Sequence, residues 1–200
     1  YMRQELEWLG LEAEFHSYQV PNEVVIYDVH TPDGTRAWRV DEAGRIWHTS
    51  DGGTNWDLQF TEPSAIPLIG CHFNDSLAGW ACGGAGIILH TDDGGVNWTQ
   101  QTIGEADYFW RLDFVDDLNG WAAGGDSGKI ASTTDGGNTW AVQVGVTEQD
   151  LYGVSFADVN RGWVVGAGSG TSPVMGVILH TTDGGASWAT QYEDSTYLLI

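Results

Sequence analysis

Apolar and polar positions along this chain alternate in short bursts rather than in helical arcs. In LYGVSFAD at 151–158, RGWVVGAG at 161–168, VILHTT at 177–182 and SWATQ at 187–191, apolar side chains tend to fall at every second position. That is the period of a strand with one face turned to a core. Polar or glycine-rich turns separate the runs, so the pattern predicts four short strands followed by a turn into the next four. Only the acidic opening RQELEWLGLEAEF hints at a helical period.

The pattern recurs. GRIWHTSDGGTNW at 44–56 returns as GIILHTDDGGVNW at 86–98, GKIASTTDGGNTW at 128–140 and GVILHTTDGGASW at 176–188. The closing tryptophans Trp56, Trp98, Trp140 and Trp188 are spaced 42, 42 and 48 apart, the longer step reflecting an insertion around GSGTSPVMG at 168–176. A second phrase runs upstream of each, with Trp38, Trp80, Trp121 and Trp163 stepping by 42, 41 and 42. Four strands in a repeat of this length are the signature of a propeller blade, whose sheet buries both faces against its neighbours. The fold class is therefore all-β, a β-propeller of four-stranded antiparallel blades. Blade 1 is expected over 24–62, blade 2 over 63–104, blade 3 over 105–147 and blade 4 over 148–192. Residues 1–23 read as the outer strand of a preceding or closing blade, and 193–200 as the start of a following or closing one. Ragged ends favour a stretch of a larger propeller over a small closed ring. The opening at Tyr1 fits either a removed targeting segment or a piece of a longer chain.

Composition sharpens this. With 28 glycines in 200 residues, usage is about twice the average, as many tight turns require. Charge is more decisive: 28 Asp and Glu stand against six arginines and Lys129, a formal net of −21. Phosphate backbones are met by clustered Lys and Arg, so a nucleic-acid role is excluded, and anionic lipid surfaces are disfavoured. No apolar run approaches the roughly 18–20 residues of a membrane span.

The turn has the form Thr, x, Asp, x, Gly, x, Asn/Thr/Ser, Trp. It comprises Thr49, Asp51, Gly53 and Trp56; Thr91, Asp93, Gly95 and Trp98; Thr133, Asp135, Gly137 and Trp140; and Thr181, Asp183, Gly185 and Trp188. An aspartate here can accept local backbone N–H bonds, the glycine pair supplies positive φ, and the tryptophan covers the hairpin. The element resembles the Asp-box, or bacterial neuraminidase repeat, which implies a structural role for all sixteen residues. With FNDSLAGW at 73–80, FVDDLNGW at 114–121 and FADVNRGW at 156–163, the unit from about 24 to 192 resembles the photosystem II stability/assembly factor family and its bacterial relatives. That resemblance implies a non-enzymatic propeller outside the cytoplasm, acting as a scaffold or assembly chaperone without a cofactor, and a parent of more than four blades.

Candidate chemistry lies on the inner strands. Asp28, His30, His72, Arg111 and Asp113 fall on polar positions of strands expected to line the central channel. They read either as a binding site at its mouth or as paired charges in a hydrated channel. Cys71 and Cys82 would face each other if Phe73 pairs with Trp80. A disulfide and two buried free thiols are both open there, since the equivalent residues are small and apolar. His48, His90 and His180 share one repeated position, filled by Ser132 in the third blade, and repetition argues for structure. No metal site is expected. Trp8, Trp47 and Trp110 fall outside the repeat's tryptophan positions and read either as contact residues or as packing between blades.

The function expected is that of a docking subunit or assembly factor for other proteins, with no nucleic-acid partner and no membrane span in this chain. The location expected is extracytoplasmic: periplasmic, lumenal, secreted or cell-surface. The alternative is a glycoside hydrolase of Asp-box propeller type. A sialidase is disfavoured, because the arginine-isoleucine pair Arg45–Ile46 is followed by Trp47 where the resemblance would require proline. A two-carboxylate glycosidase remains the runner-up.

Overall fold

The computed structural model describes residues 24–101, 103, 108–125, 128–143, 146–168 and 176–194. The expectations for 1–23, including Trp8, for most of the insertion at 168–176 and for 195–200 lie outside the described residues. Among the described residues, sixteen strands form four antiparallel sheets. The first contains β1 (Ile26–His30), β2 (Ala37–Asp41), β3 (Arg45–Thr49) and β4 (Asp57–Thr61). The second contains β5 (Leu68–Phe73), β6 (Gly79–Gly83), β7 (Ile88–Thr91) and β8 (Thr99–Gln101). The third contains β9 (Phe109–Phe114), β10 (Gly120–Gly124), β11 (Lys129–Thr133) and β12 (Ala141–Gln143). The fourth contains β13 (Asp150–Phe156), β14 (Gly162–Ala167), β15 (Gly176–Thr181) and β16 (Ala189–Asp194). Each sheet is a simple meander in chain order, and β1, β5, β9 and β13 lie beside one another in succession. This is a β-propeller arrangement, with the first strand of each blade innermost.

Blades are joined face to face by aromatic stacks. Trp38 lies on Phe73 at 3.8 Å and 10°, Trp80 on Phe114 at 3.7 Å and 9°, and Trp121 on Phe156 at 3.5 Å and 6°. Each phenylalanine also meets the edge of its own blade's Asp-box tryptophan: Trp98, Trp140 or Trp188. His48, His90 and His180 lie against Trp38, Trp80 and Trp163 respectively, so that the first two back an inter-blade stack. The glycine paired opposite each of these phenylalanines, Gly79, Gly120 or Gly162, makes room for its ring. A Cβ on Gly79 would stand 2.2 Å from the Phe73 ring, and one on Gly120 would stand 2.3 Å from that of Phe114.

Three apolar cores fill the three spaces between blades. Among the described residues, the outward face of the fourth blade is exposed instead. Trp163 is 38% exposed where Trp38, Trp80 and Trp121 are at most 3%, and Val165 and Tyr192 are exposed beside it. The first blade's outward face differs from the repeat: Thr31 stands in the place of phenylalanine, and Arg39 in that of Ala81 and Ala122. The Arg39 guanidinium lies 5.1 Å from the centres of both Trp47 and Trp56.

The register corrects the facing of Cys71 and Cys82, and of the two alternatives it leaves the free thiols. The turn at 74–78 closes Phe73 on Gly79, not on Trp80, so His72 opposes Trp80, Cys71 opposes Ala81 and Gly70 opposes Cys82. Shifting the pairing by one residue moves a side chain to the other face. Cys71 therefore packs between the first and second blades and Cys82 between the second and third, both as free buried thiols. Burial pushes the Cys82 thiol up to about 12 and raises that of Cys71 as well.

Two outcomes follow from this packing. Neither thiol should react with Ellman's reagent until the protein is denatured, when both should react, and the intact mass should be the same with and without reductant. Gly79→Ala should destabilise the fold by about 1–3 kcal/mol in urea titration through overpacking. Gly176→Ala, where nothing lies within 4 Å of the added carbon, should leave the midpoint unchanged.

Candidate functional site

The Asp-box turn satisfies its own polar groups. In the first blade, the Thr49 hydroxyl donates to Asp51 Oδ1 at 2.8 Å and accepts from Gly53 N at 2.9 Å. Asn55 donates its backbone N–H to Asp51 Oδ1 at 2.9 Å and its side-chain amide to Oδ2 at 2.7 Å. The same closed set recurs around Asp93, Asp135 and Asp183. These bonds hold the Asp51 carboxyl at about 2, chiefly through Asn55, and the Asp183 carboxyl at about 2, chiefly through Ser187. Each box is tied to the first turn of its own blade, with Gly52, Gly94, Gly136 and Gly184 donating to Thr35, Leu77, Leu118 and Asn160. Boxes and first turns therefore share one end of the molecule. Among the described residues no group of His, Cys, Asp and Glu could hold a metal ion.

A latch between blades runs through residues that the sequence reading did not single out. Gln59 donates to Gly94 O at 2.9 Å, while its Oε1 accepts from Trp38 Nε1 at 3.0 Å. Gln101 donates to Gly136 O at 2.8 Å, and Trp80 and Trp121 donate their indole N–H groups to Gly136 O and Gly184 O. The signal was present as a glutamine three residues after each Asp-box tryptophan: Gln59, Gln101, Gln143 and Gln191. Close approach explains Gly95, where a Cβ would sit 2.0 Å from Gln59 Oε1.

The structure brings Asp28, His30, His72, Arg111 and Asp113 together along the innermost strands. An innermost strand pairs on one edge only, so its remaining N–H groups need other acceptors. Side chains of the preceding blade supply them. Asp28 Oδ2 accepts from Cys71 N at 3.1 Å, His30 Nδ1 from Phe73 N at 3.1 Å, and Asp113 Oδ2 from Phe156 N at 2.6 Å. His30 and His72 stack at 4.6 Å, and His72 Nδ1 lies 3.4 Å from Asp113 Oδ1. Arg111 Nη1 donates to Ile69 O and Trp110 O at 2.9 and 2.8 Å, with its Nε 3.9 Å from Asp28. Polar groups here bind backbone and one another, so the cluster sews the innermost strands together.

One further feature repeats. Each innermost strand carries a β-bulge, at Tyr27, Ile69, Trp110 and Tyr152, where the register against the second strand skips a residue. The bulges lie at the end of the sheets away from the Asp boxes. Trp110 meets Tyr108 at 5.8 Å and Tyr152 at 5.7 Å. Trp47 is placed differently: its indole donates to the buried Asp41 carboxylate at 3.0 Å.

Blades stacked in series, Asp-box turns at one end and inner strands cross-linked by side chains define the class: a β-propeller of the Asp-box, or bacterial neuraminidase repeat, type. The model of the family described as photosynthesis system II assembly factor YCF48 matches residues 10–106 and again 101–195, and the chain belongs to that family. Among solved structures, a YCF48 bound to a D1 peptide is 18% identical with a TM-score of 0.53, covering 86% of this chain and 83% of that one. YCF48 from Cyanidioschyzon merolae is 20% identical at a TM-score of 0.64 over 85% of this chain, which spans 57% of that protein's length. The GH74 enzyme of Niastella koreensis is 16% identical at 0.63 over 80% of this chain and 28% of its own. At these identities the likeness concerns the fold. No curated protein matches the chain.

The histidines give the stability a pH dependence. Burial lowers His30, His48 and His90 below the ordinary 6.5, with the His72 charge adding to the effect at His30. At His30 the Phe73 bond needs an unprotonated Nδ1. A lowered histidine means that the unfolded chain takes up its proton first, so stability is whole above 6.5 and falls as the pH drops through and below it. Asp51 and Asp183 lose their contribution only between 3.8 and about 2, and Asp93 and Asp135, lowered by the same bonds, lose theirs below 3.8 as well. Urea midpoints against pH should therefore show two separate acid losses, the upper one reduced in His30→Gln.

Proposed function

We propose that this chain is a non-enzymatic docking subunit that binds other proteins during assembly of a larger complex outside the cytoplasm. The observation that carries the proposal is the family match over nearly the whole chain, in a family described by an assembly role and including a member solved with a peptide bound. The axis geometry supports it: the Asp28 and Asp113 carboxylates and the His30 imidazole each accept a backbone amide. The GH74 likeness, at 12–16% identity, reaches only to the shared propeller. The open face around Trp163 fits a further blade packing there, as the three inner spaces between blades already show. A charge of −21 suits a cationic partner met through long-range steering and disfavours nucleic acid. No helix among the described residues is long and apolar enough to cross a membrane.

Native mass spectrometry after gentle purification from the source tests this reading. Stable co-purifying subunits are expected, and they should dissociate as salt is raised to about 1 M, where the Debye length is about 3 Å. A lone 21.7 kDa species that turns over a β-glucan oligosaccharide would overturn it in favour of a glycosidase.

A further inference from the structure

We infer that the bulged residues Trp110 and Tyr152, at the end of the axis away from the Asp boxes, form with Tyr108 a site for a cationic side chain of an extended partner peptide. The inference rests on the docking role proposed above and assigns it a place and a chemistry.

A β-bulge re-aims the side chain it carries and breaks the ladder locally. Here it occurs once in each innermost strand, and three of the four bulged residues are aromatic: Tyr27, Trp110 and Tyr152. Because β9 and β13 are neighbours, the last two come together, with ring centres 5.7 Å apart at 66°. Tyr108 stacks on the same indole at 5.8 Å and 21°. Tyr108 and Tyr152 are 46% and 41% exposed, so the cluster presents ring surface to solvent rather than closing a core. The tryptophans at the stacked blade faces are instead buried to 3% or less.

Charge selects the occupant. Aromatic faces are negative and attract an ammonium or guanidinium group within about 6 Å of the ring centre. Asp150 lies at the edge of the cluster, its Oδ2 3.4 Å from the Tyr152 hydroxyl, and can pair with the same cation. Arg111 is directed away from the rings: its Nη1 is held by the carbonyls of Ile69 and Trp110, and its Nε faces Asp28. The whole chain adds a strongly negative field. Lysine- or arginine-bearing peptide is the chemistry that uses both the rings and the charge, whereas a neutral sugar would use only the rings.

The test is calorimetric titration of the full chain with three probes: a short lysine- and arginine-containing peptide, a length-matched glutamate peptide, and a neutral β-glucan oligosaccharide. Binding of the basic peptide alone is expected, weakening as salt rises. Tyr152→Leu and Tyr108→Leu keep apolar bulk and remove the π-face, and each should weaken it about three- to tenfold. Asp150→Asn should weaken it while leaving the urea midpoint near wild type. Equal binding of both peptides, or basic-peptide binding unchanged in all three variants, would overturn the site. So would binding of the oligosaccharide alone. If native partners co-purify with all three variants as with wild type, this site fails and the docking role stands. If nothing co-purifies with wild type and no peptide binds, both fail.

Discussion

The fold depends on one contact made three times: the face of a tryptophan on one blade against the phenylalanine ring of the next. A lone four-stranded meander has two apolar faces and cannot bury either by itself. The stacks Trp38–Phe73, Trp80–Phe114 and Trp121–Phe156 turn these separate sheets into a series. Everything around them serves the approach. The glycine opposite each phenylalanine leaves space for its ring, the Asp-box tryptophan meets the phenylalanine edge to face, and a histidine backs the stack in two of the three cases. Trp163, which stacks on no phenylalanine among the described residues, stands exposed. The contrast within one molecule isolates what the neighbouring blade contributes.

The two ends of the sheets divide the work. At one end, the Asp boxes, the first turns and the glutamine latches satisfy one another and bind each blade to the next through glycine carbonyls. At the other, the bulges turn aromatic side chains out of the ladder. Between them, the innermost strands are cross-linked by Asp28, His30 and Asp113, which cover amides that an innermost strand would otherwise leave unpaired. A polar residue facing a channel is thus no sign of catalysis when its acceptor atoms are already taken by backbone. Net charge is a matter of solubility and association rather than of fold, and the aspartates that do enter the packing act through their individual hydrogen bonds.

Much of this was legible before any coordinates. Alternation with period two, glycine turns and a repeat of about 42 residues determine strands, blades and their order, because a sheet with two apolar faces has few ways to bury both. The Asp-box roles were equally readable, since every bond in that turn is made within five residues of chain. Register was not. The spacing of Phe73 and Trp80 is compatible with pairing either Trp80 or Gly79 against the phenylalanine, and side chains alternate faces, so the choice moves Cys82 from beside Cys71 to the opposite core. Only the closed turn decides it. The glutamine latch, the histidine stack and the meeting of Trp110 with Tyr152 likewise join residues on different strands or blades. Local sequence constrains what lies within one turn of chain, and contacts between blades exist only once the sheets are stacked.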